Sequence, residues 1–140
     1  MTIYEENALT PGIMNTIRTA VGWNAYPLSR LEQAIPATRY SIVAREAGKP
    51  VGMARLIGDG IYYFLCDVAV VPSAQQHGIG RRMVQTLLDR VRQDLTPGER
   101  CSITLVSAEG KEPFYASFGF AAIPNDRAGY GMQLFLTAGT

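Results

Sequence analysis

The stretch that decides the fold is DVAVVPSAQQHGIGRRMVQTLLDRV, which runs from Asp67 to Val91. An apolar run stops at Pro72, and a polar loop with two glycines, Gly78 and Gly80, follows it. Apolar residues then recur at helical spacing, which predicts an amphipathic helix from about Ile79 to Asp94. An apolar strand, a glycine loop and a helix in this order form the first part of a strand–helix–strand unit.

The glycine loop has the features of an anion site. The first N–H groups of a helix have no partner within the helix, and the helix dipole adds partial positive charge there. Gly78 and Gly80 have no Cβ to block a close approach. Arg81 and Arg82 oppose the helix dipole, and a bound polyanion would justify that cost. The loop therefore predicts a pyrophosphate site, although a plain connecting turn explains two glycines equally well.

The loop does not match two common phosphate-binding patterns. No Gly-Lys-Ser/Thr closes the segment, so it is not a P-loop. The dinucleotide-binding pattern lacks its third glycine, and Val84 stands near that place.

Length and charge indicate one domain and exclude one class of partner. The chain has 140 residues, 47% of them hydrophobic, which is enough for a domain with a substantial core. Thirteen basic and twelve acidic residues give a net charge of +1, and nucleic-acid binding generally needs a concentrated basic face. We therefore expect a single domain over residues 1–140 that does not bind nucleic acid.

Cysteine content and hydropathy bear on location, membranes and metals. Cys66 and Cys101 lie in apolar runs, and the start MTIYEENALT lacks a secretory pattern, so we expect reduced thiols and a cytoplasmic location. No apolar run approaches the about 20 residues of a membrane span, so no membrane partner is expected. One histidine, His77, and two separated cysteines cannot form a common zinc site, so no metal is expected.

Capping and turn signals predict the remaining elements. Pro11 after Thr10 predicts the start of a first helix, and Ser29-x-x-Glu32 is a capping-box pattern for a second. The long apolar run after residue 60 fits a strand buried on both faces. Strands are predicted near Ile3 and at Tyr40–Ala47, Val51–Ile57, Ile61–Val71, Cys101–Val106, Phe120–Ile123 and Tyr130–Leu136, with a short helix at Glu112–Phe118. This order predicts an α/β (α+β) chain with a mixed sheet, in which the strands on either side of the 79–94 helix are parallel.

Two motifs resemble those of the GNAT superfamily of N-acetyltransferases. The loop QQHGIG, Gln75 to Gly80, is similar to the family's Gln/Arg-x-x-Gly-x-Gly/Ala loop, and it follows an Asp-Val-x-Val strand as in the family. The stretch EPFYASFGF, Glu112 to Phe120, resembles the family's Phe-Tyr-x-x-x-Gly-Phe segment. The resemblance covers nearly the whole chain. It implies the GNAT fold: a central, mostly antiparallel sheet with a splayed parallel strand pair and about four helices.

The resemblance implies acetyl-CoA as the acetyl donor and an amine as the acceptor. In the family, N–H groups of the glycine loop hold the pyrophosphate, and the preceding strand pairs with the pantetheine arm through its backbone. The cofactor-binding residues implied for this chain are Val68, Ala69, Val70, Gln75, Gln76, His77, Gly78, Ile79, Gly80, Arg81, Phe114 and Tyr115. A homodimer is an assembly that the resemblance leaves open.

The resemblance also implies two catalytic roles. The Val68 N–H would polarise the thioester carbonyl as an oxyanion donor. Tyr115 would be the general acid, because a phenol with a pKa near ~10 can protonate the leaving thiolate. A core tyrosine packed beside Phe114 and Phe118 is the structural alternative for Tyr115.

The general base is where the chain departs from the family pattern. Family members often place Glu or His on the long strand, whereas this chain has Phe64 and Cys66 there. Asp67 is one residue out of phase and is expected on the opposite face, where a structural role and a catalytic role fit equally well. Three routes stay open: a water relay to Asp59, Glu32 or Asp67, binding of the neutral amine, or participation of Cys66, although buried cysteines are usually inert.

The acceptor site of the family fold lies between the early helices, the long strand and the final hairpin. Aromatic residues and both charge signs would line it: Trp23, Tyr26, Arg55, Asp59, Tyr62 and Phe64. Such a lining suits a small amine with an apolar or aromatic part, or an amino acid or peptide, although Trp23 and Tyr26 could instead cover the core. We predict an acetyl-CoA-dependent N-acetyltransferase acting by direct attack of the amine on the thioester. The alternative is a non-catalytic acyl-CoA-binding regulatory module.

Overall fold

The computed structural model describes residues 1–139. Two compact units divide the chain, one of Met1–Val106 and one that begins at Ser107. The elements, in chain order, are β1 (Thr2–Glu6), α1 (Pro11–Ala20), α2 (Leu28–Ala34), β2 (Tyr40–Glu46), β3 (Lys49–Gly58), β4 (Tyr62–Val70), α3 (Ile79–Asp94), β5 (Ser102–Thr104) and α4 (Glu112–Ala116), with a 3-10 turn at Pro72–Ala74.

The first unit contains one sheet with the strand order β1-β2-β3-β4-β5. The first four strands are antiparallel neighbours, whereas β4 and β5 are parallel and connected through α3. This mixed sheet with its helices confirms the predicted fold class. Pairing between β4 and β5 runs from Tyr62–Ser102 to Phe64–Thr104 and stops there, while β4 continues to Val70. The parallel pair is therefore short, because β5 ends at Thr104.

Local signals decide where two of the helices begin. The Thr10 hydroxyl accepts a hydrogen bond from the Ile13 N–H at 3.2 Å, and Pro11 occupies the first helical position of α1, as predicted. The predicted capping box of α2 is wrong. That helix begins at Leu28, directly after Pro27, so Ser29 lies inside its first turn and no side chain caps it. The fixed φ of Pro27 leads into the helix without a capping side chain.

Helices cover both faces of the sheet. Val43 and Met53, which are cross-strand partners, pack with Met14 and Ile17 of α1 in a buried cluster. A Cβ placed on the neighbouring Gly52 would lie 3.0 Å from the Met83 side chain, so α3 packs on the opposite face. The predicted apolar stripe of α3, which is Met83, Val84, Leu87, Leu88 and Val91, is buried, and so is Ile79 at the start of the helix.

The prediction that β4 is buried on both faces is wrong. Tyr62 and Phe64 are 70% and 38% exposed, whereas Tyr63 and Leu65 between and beside them are buried. The strand thus alternates between exposed and buried residues over this range.

The second unit contains α4 and an aromatic cluster. The Phe114 ring lies edge-on to the rings of Tyr115 and Phe118, with centroids 5.0 and 5.2 Å apart. The two strands predicted at Phe120–Ile123 and Tyr130–Leu136 are wrong for the described residues, where only an isolated bridge between Asn125 and Ala128 forms. A strand needs a partner ladder as well as alternating residues, and neither segment has one in this structure.

Candidate functional site

The glycine loop adopts the left-handed backbone conformation twice. Gln76 has φ +65° and Gly78 has φ +80°, and Gly78 is the N-cap residue of α3. A Cβ on Gly78 would meet no atom within 4 Å, so its glycine serves the backbone conformation rather than close internal packing. The turn leaves the loop side chains from Gln75 to Gly78 exposed at the helix N-terminus. This is the geometry in which N–H groups can face an anion.

Side chains around the loop fix its position. The Gln75 amide donates a hydrogen bond to the Val70 carbonyl at 2.9 Å, which ties the loop back to the end of β4. The Ile79 side chain is buried under the sheet. The Arg82 guanidinium lies 5.3 Å from the centre of the Tyr4 ring, within range for a cation–π contact. His77 is an exposed loop residue, consistent with a role for its backbone.

The end of β4 offers backbone groups along one edge. Beyond Phe64, residues Leu65 to Val70 have no strand partner on the β5 side within the range 1–139. An unpaired strand edge presents N–H and C=O groups to which an extended group can bind. Val68, Ala69 and Val70 all lie in this part of β4.

Asp67 lies in a β-bulge of β4. Ala54 of β3 stands opposite two residues, Asp67 and Val68, because Met53 pairs with Ala69 and Arg55 pairs with Cys66. Asp67 has φ +54°, a conformation that aspartate adopts more readily than most residues. The bulge changes the side-chain alternation of the strand at this point.

The carboxylate of Asp67 is held by two arginines. Its Oδ2 accepts from Arg55 Nε at 2.7 Å, and its Oδ1 accepts from Arg18 Nη1 at 3.2 Å. Cross-strand partners lie on the same face of a sheet, so Arg55 and Cys66 share one face. The Asp67 carboxylate, which pairs with Arg55, lies on that face as well. The prediction that Asp67 lies on the face opposite Phe64 and Cys66 is wrong, because the bulge interrupts the alternation of side chains along β4. Of the two roles that the sequence left open, this pairing favours the structural one.

The thiol of Cys66 is a poor base and a poor nucleophile. Burial, and then the adjacent Asp67 carboxylate, which accepts its hydrogen bond, together raise its pKa to about 12. The thiol is therefore neutral at physiological pH, and the thiolate is the reactive form.

Asp59 forms the turn between β3 and β4. Its Oδ1 accepts hydrogen bonds from the N–H groups of Ile61 and Tyr62, both at 2.9 Å. The bond from Tyr62, and then that from Ile61, lowers the pKa of this exposed carboxyl group. The geometry is an Asx-turn, which indicates a structural role rather than contact with an acceptor.

Arg18, near the end of α1, was missed by the sequence reasoning. Its guanidinium lies 4.5 Å from the centre of the Tyr26 ring and 5.3 Å from that of Trp23, and its Nε donates to the Asn24 carbonyl at 2.7 Å. The only signal for Arg18 in the sequence is a basic residue in the last turn of an amphipathic helix, directly before the aromatic connection Trp23 to Tyr26. Spacing does not reveal that this residue reaches β4.

The predicted acceptor residues separate into two groups. The first group is Trp23, Tyr26 and Arg55, which Arg18 and Asp67 connect to one another. Trp23 and Tyr26 are 37% and 51% exposed, so these two residues do not cover the core. Tyr62 and Phe64 lie on the same face of β4 as Cys66, because strand residues alternate. Asp59 belongs instead to a surface depression of about 310 Å³ that also includes Arg39 and Tyr63.

Tyr115 lies in α4 of the second unit. Its ring is edge-on to those of Phe114 and Phe120, with centroids 5.0 and 6.1 Å apart. Burial raises the pKa of its phenol, so the group keeps its proton at neutral pH and above. A neutral phenol can donate that proton.

The described residues show neither a metal cluster nor a membrane-spanning helix. Within residues 1–139, no group of three or more His, Cys, Asp or Glu side chains is arranged to hold a metal ion. None of the helices described in that range combines the length and the apolar character that a membrane crossing requires.

Known proteins resemble this chain in sequence. The family model described as acetyltransferase (GNAT) domain matches residues 18–135. The chain is 30% identical over 115 residues to GCN5-related N-acetyltransferase 1, chloroplastic, of Arabidopsis thaliana, covering 80% of this chain and 56% of that protein. It is 30% identical over 122 residues to serotonin N-acetyltransferase 2, chloroplastic, of Oryza sativa subsp. japonica, covering 84% and 59%. The chain thus spans a little over half the length of these two relatives.

Solved structures resemble it in fold. A GNAT family acetyltransferase of Streptococcus pneumoniae TIGR4 superimposes with a TM-score of 0.80 at 26% identity, covering 99% of this chain and 100% of that one. A GNAT family acetyltransferase of Brucella melitensis, solved in complex with acetyl-CoA, has a TM-score of 0.61 at 23% identity, covering 87% and 84%. With a glycine loop at the start of α3, a short parallel strand pair and a family match over most of its length, the chain belongs to the GNAT acetyltransferase family.

Proposed function

We propose that this chain is an acetyl-CoA-dependent N-acetyltransferase that transfers the acetyl group to the primary amine of a small molecule. The observation that carries the proposal is the left-handed turn at Gln76 and Gly78, which exposes the N-terminus of α3 directly after β4. An exposed helix N-terminus reached through a glycine suits a pyrophosphate. The family supplies the reaction class, and the chain's own residues supply the sites.

The donor would bind along backbone groups. N–H groups from Gln76 to Arg81 would hold the pyrophosphate, and the unpaired edge of β4 around Val68 and Val70 would pair with the pantetheine arm. Both surfaces belong to the first unit and follow one another in sequence. The Brucella relative, whose structure contains acetyl-CoA, supports this choice of donor.

The chemical step would be direct attack of the amine nitrogen on the thioester carbonyl carbon. A new C–N bond forms, the carbonyl oxygen gains negative charge, and the Val68 N–H donates to that oxygen. The C–S bond then breaks, and Tyr115 gives its proton to the leaving thiolate. The raised pKa of Tyr115 means that its phenol carries the proton at neutral pH, which this role requires.

The amine must lose a proton before or during attack, and a water relay is the route we propose. Two of the three carboxylates considered for it are engaged, Asp67 with arginines and Asp59 in a turn. The side chain of Glu32 lies exposed on α2 and forms no hydrogen bond or ion pair with the other side chains or backbone groups of the range 1–139. We therefore propose that water passes the proton either to Glu32 or to bulk solvent.

The acceptor is proposed to be a small amine with an aromatic part. The exposed rings of Trp23, Tyr26 and Phe64 offer flat apolar surfaces on the α1 side of the sheet. Such rings pack against an aromatic ligand edge-on or offset. The name of the rice relative, a serotonin N-acetyltransferase, supports an arylalkylamine as the acceptor.

One observation favours the second candidate, a non-catalytic acyl-CoA-binding module. Where family members often carry a base, this chain has Phe64 and a Cys66 thiol with a pKa of about 12. A module of this kind would bind acetyl-CoA but would not turn it over.

The test is thiol release from acetyl-CoA across a panel of arylalkylamines, amino acids, polyamines and peptides. Tyr115→Phe is compared with the wild type, and Tyr130→Phe, on an exposed tyrosine, is the matched control. We expect turnover with an arylalkylamine, a lower kcat in Tyr115→Phe by about 10²-fold, and no change in the control. Tight acetyl-CoA binding without turnover on any amine would favour the binding module instead. The cytoplasmic location and the homodimer stay predictions.

A further inference from the structure

Asp67, Arg18 and Arg55 form a cluster that joins three elements of the first unit. The side chains are between 12% and 14% exposed, and they come from β4, α1 and β3. Each carboxylate oxygen of Asp67 accepts from a different guanidinium, and Arg55 also donates to the Thr38 hydroxyl at 3.0 Å. Mostly buried charges that are paired and hydrogen-bonded in this way restrict the relative positions of the elements that carry them.

Arg18 extends the cluster into the connection between α1 and α2. One guanidinium reaches Asp67 through Nη1 and the Asn24 carbonyl through Nε, while its plane lies near the rings of Trp23 and Tyr26. The planar fork of arginine can make these contacts together, whereas a lysine ammonium cannot. Arg18 thus links the aromatic connection to Asp67 of β4, while two hydrogen bonds between Asn15 and the Tyr26 backbone hold it to α1.

At β4, the ion pair with Arg18 is made by Asp67, which lies in the β-bulge. Asp67 has φ +54° and directly precedes Val68, the proposed oxyanion donor. A backbone conformation of this kind persists where surrounding contacts over-determine it, and here two ion pairs do so. The same carboxylate therefore holds both the bulge and the aromatic connection.

We propose that Arg18 and Asp67 are positioning residues that set the acceptor-binding aromatic connection, Trp23 to Tyr26, relative to Val68. The inference rests on the proposed function and assigns to Asp67 a role other than that of a base. Neither residue touches the reacting atoms. They determine where the acceptor ring lies, so that its amine meets the thioester at the bulge.

Trp23 makes the proposal testable without turnover, because it is the only tryptophan of the chain. Acrylamide quenching of its fluorescence reports how well the connection is held. The variants are Arg18→Met, which removes the bridge, and Arg18→Lys, which keeps a positive charge for Asp67 but loses the fork. Arg45→Met is the matched control, because Arg45 pairs with Glu5 elsewhere in the sheet.

Both Arg18 variants should raise the quenching constant of Trp23 by about twofold. They should also raise the acceptor KM by about tenfold while the KM for acetyl-CoA stays within about twofold. Arg45→Met should match the wild type in all three measurements. Circular dichroism and the acetyl-CoA affinity of each variant confirm that it is folded.

Two results would overturn the inference: Arg18→Lys restoring wild-type quenching and KM, which would indicate charge balance only, or equal rises in both KM values. A wild-type chain without turnover on any amine would overturn the proposed function. The quenching comparison does not depend on turnover, so it still decides whether Arg18 holds the connection.

Discussion

The side chain of Gln75 donates a hydrogen bond to the backbone carbonyl of Val70, with 2.9 Å between Nε2 and the oxygen. The bond spans the 3-10 turn at Pro72–Ala74 and joins the end of β4 to the start of the glycine loop. The two surfaces proposed to bind the donor therefore have a fixed separation. A ligand that contacts both would meet a preorganised site, which lowers the entropic cost of binding.

Removing this bond should weaken donor binding. A hydrogen bond of this kind contributes about 1 kcal/mol, so Gln75→Ala should bind acetyl-CoA roughly fivefold more weakly by calorimetry. Gln85→Ala is the control, since the Gln85 amide bonds only within α3, to Asp89. An unchanged affinity in Gln75→Ala, or the same loss in the control, would show that the bond does not organise the site.

Gly78 should tolerate a residue that accepts its backbone conformation but not one that fills the anion site. At φ +80°, asparagine is strained less than other side chains, so Gly78→Asn should keep the turn. Gly78→Glu adds a negative charge where phosphate is proposed to bind and should lower acetyl-CoA affinity by at least about 100-fold.

Gly12→Glu provides the comparison for charge alone. Gly12 lies in the first turn of α1, where a Cβ also meets open space. Acetyl-CoA affinity should be unaffected there. Equal calorimetric affinities for Gly78→Glu and the wild type would refute the loop assignment.

Cys66 should react slowly with alkylating agents. Raising the thiol pKa from 9.0 to about 12 lowers the thiolate fraction at pH 8 by roughly 1000-fold. Because the folded-state pKa is the higher one, the neutral thiol persists as the pH rises through 9. The fold therefore loses stability as the pH rises above 9, where the unfolded thiol ionises, and the loss is complete near 12, where the folded thiol ionises.

The Cys101→Ser variant leaves Cys66 as the only thiol for this measurement. With iodoacetamide at pH 8, labelling should be at least about tenfold slower than that of free glutathione. Turnover should survive in Cys66→Ser, which keeps a donor for Asp67. Fast labelling together with loss of turnover would restore Cys66 as a candidate for the chemistry.

The two predicted helix caps should differ in their effect on stability. Thr10→Ala removes the hydrogen bond to the Ile13 N–H and should lower the free energy of unfolding by about 1 kcal/mol. Ser29→Ala should change it by less than about 0.5 kcal/mol, because Ser29 caps nothing. Urea denaturation of the two variants measures both values, and a larger loss in Ser29→Ala would contradict the start of α2.

Features set by neighbouring residues could be predicted from the sequence, and those set by distant contacts could not. The bounds of α3 follow from Gly78 and a regular apolar stripe, both local, and they were predicted correctly. The reach of Arg18 to Asp67 joins residues 49 positions apart, and no periodicity encodes it. The strands predicted after residue 119 have suitable alternation, but strand formation depends on a partner that composition does not specify.

The prediction of the sheet face on which Asp67 lies was wrong for a related reason. Counting by twos along β4 is valid only while each residue faces one partner, and the sequence carries no sign of where β3 skips a residue. The loop motif, in contrast, was recognisable because a left-handed N-cap restricts the residue type itself. Backbone conformation can thus be read from a sequence where side-chain type is forced, as at Gly78.

The bulge at Asp67 also has a consequence for chain length. Between the pairs Met53–Ala69 and Arg55–Cys66, β4 contains one residue more than β3, so the strand has absorbed a single-residue insertion without losing its pairing on either side. Deleting Asp67 would restore a one-to-one ladder and leave the flanking pairs and their faces unchanged, but it would remove the carboxylate that holds Arg18 and Arg55.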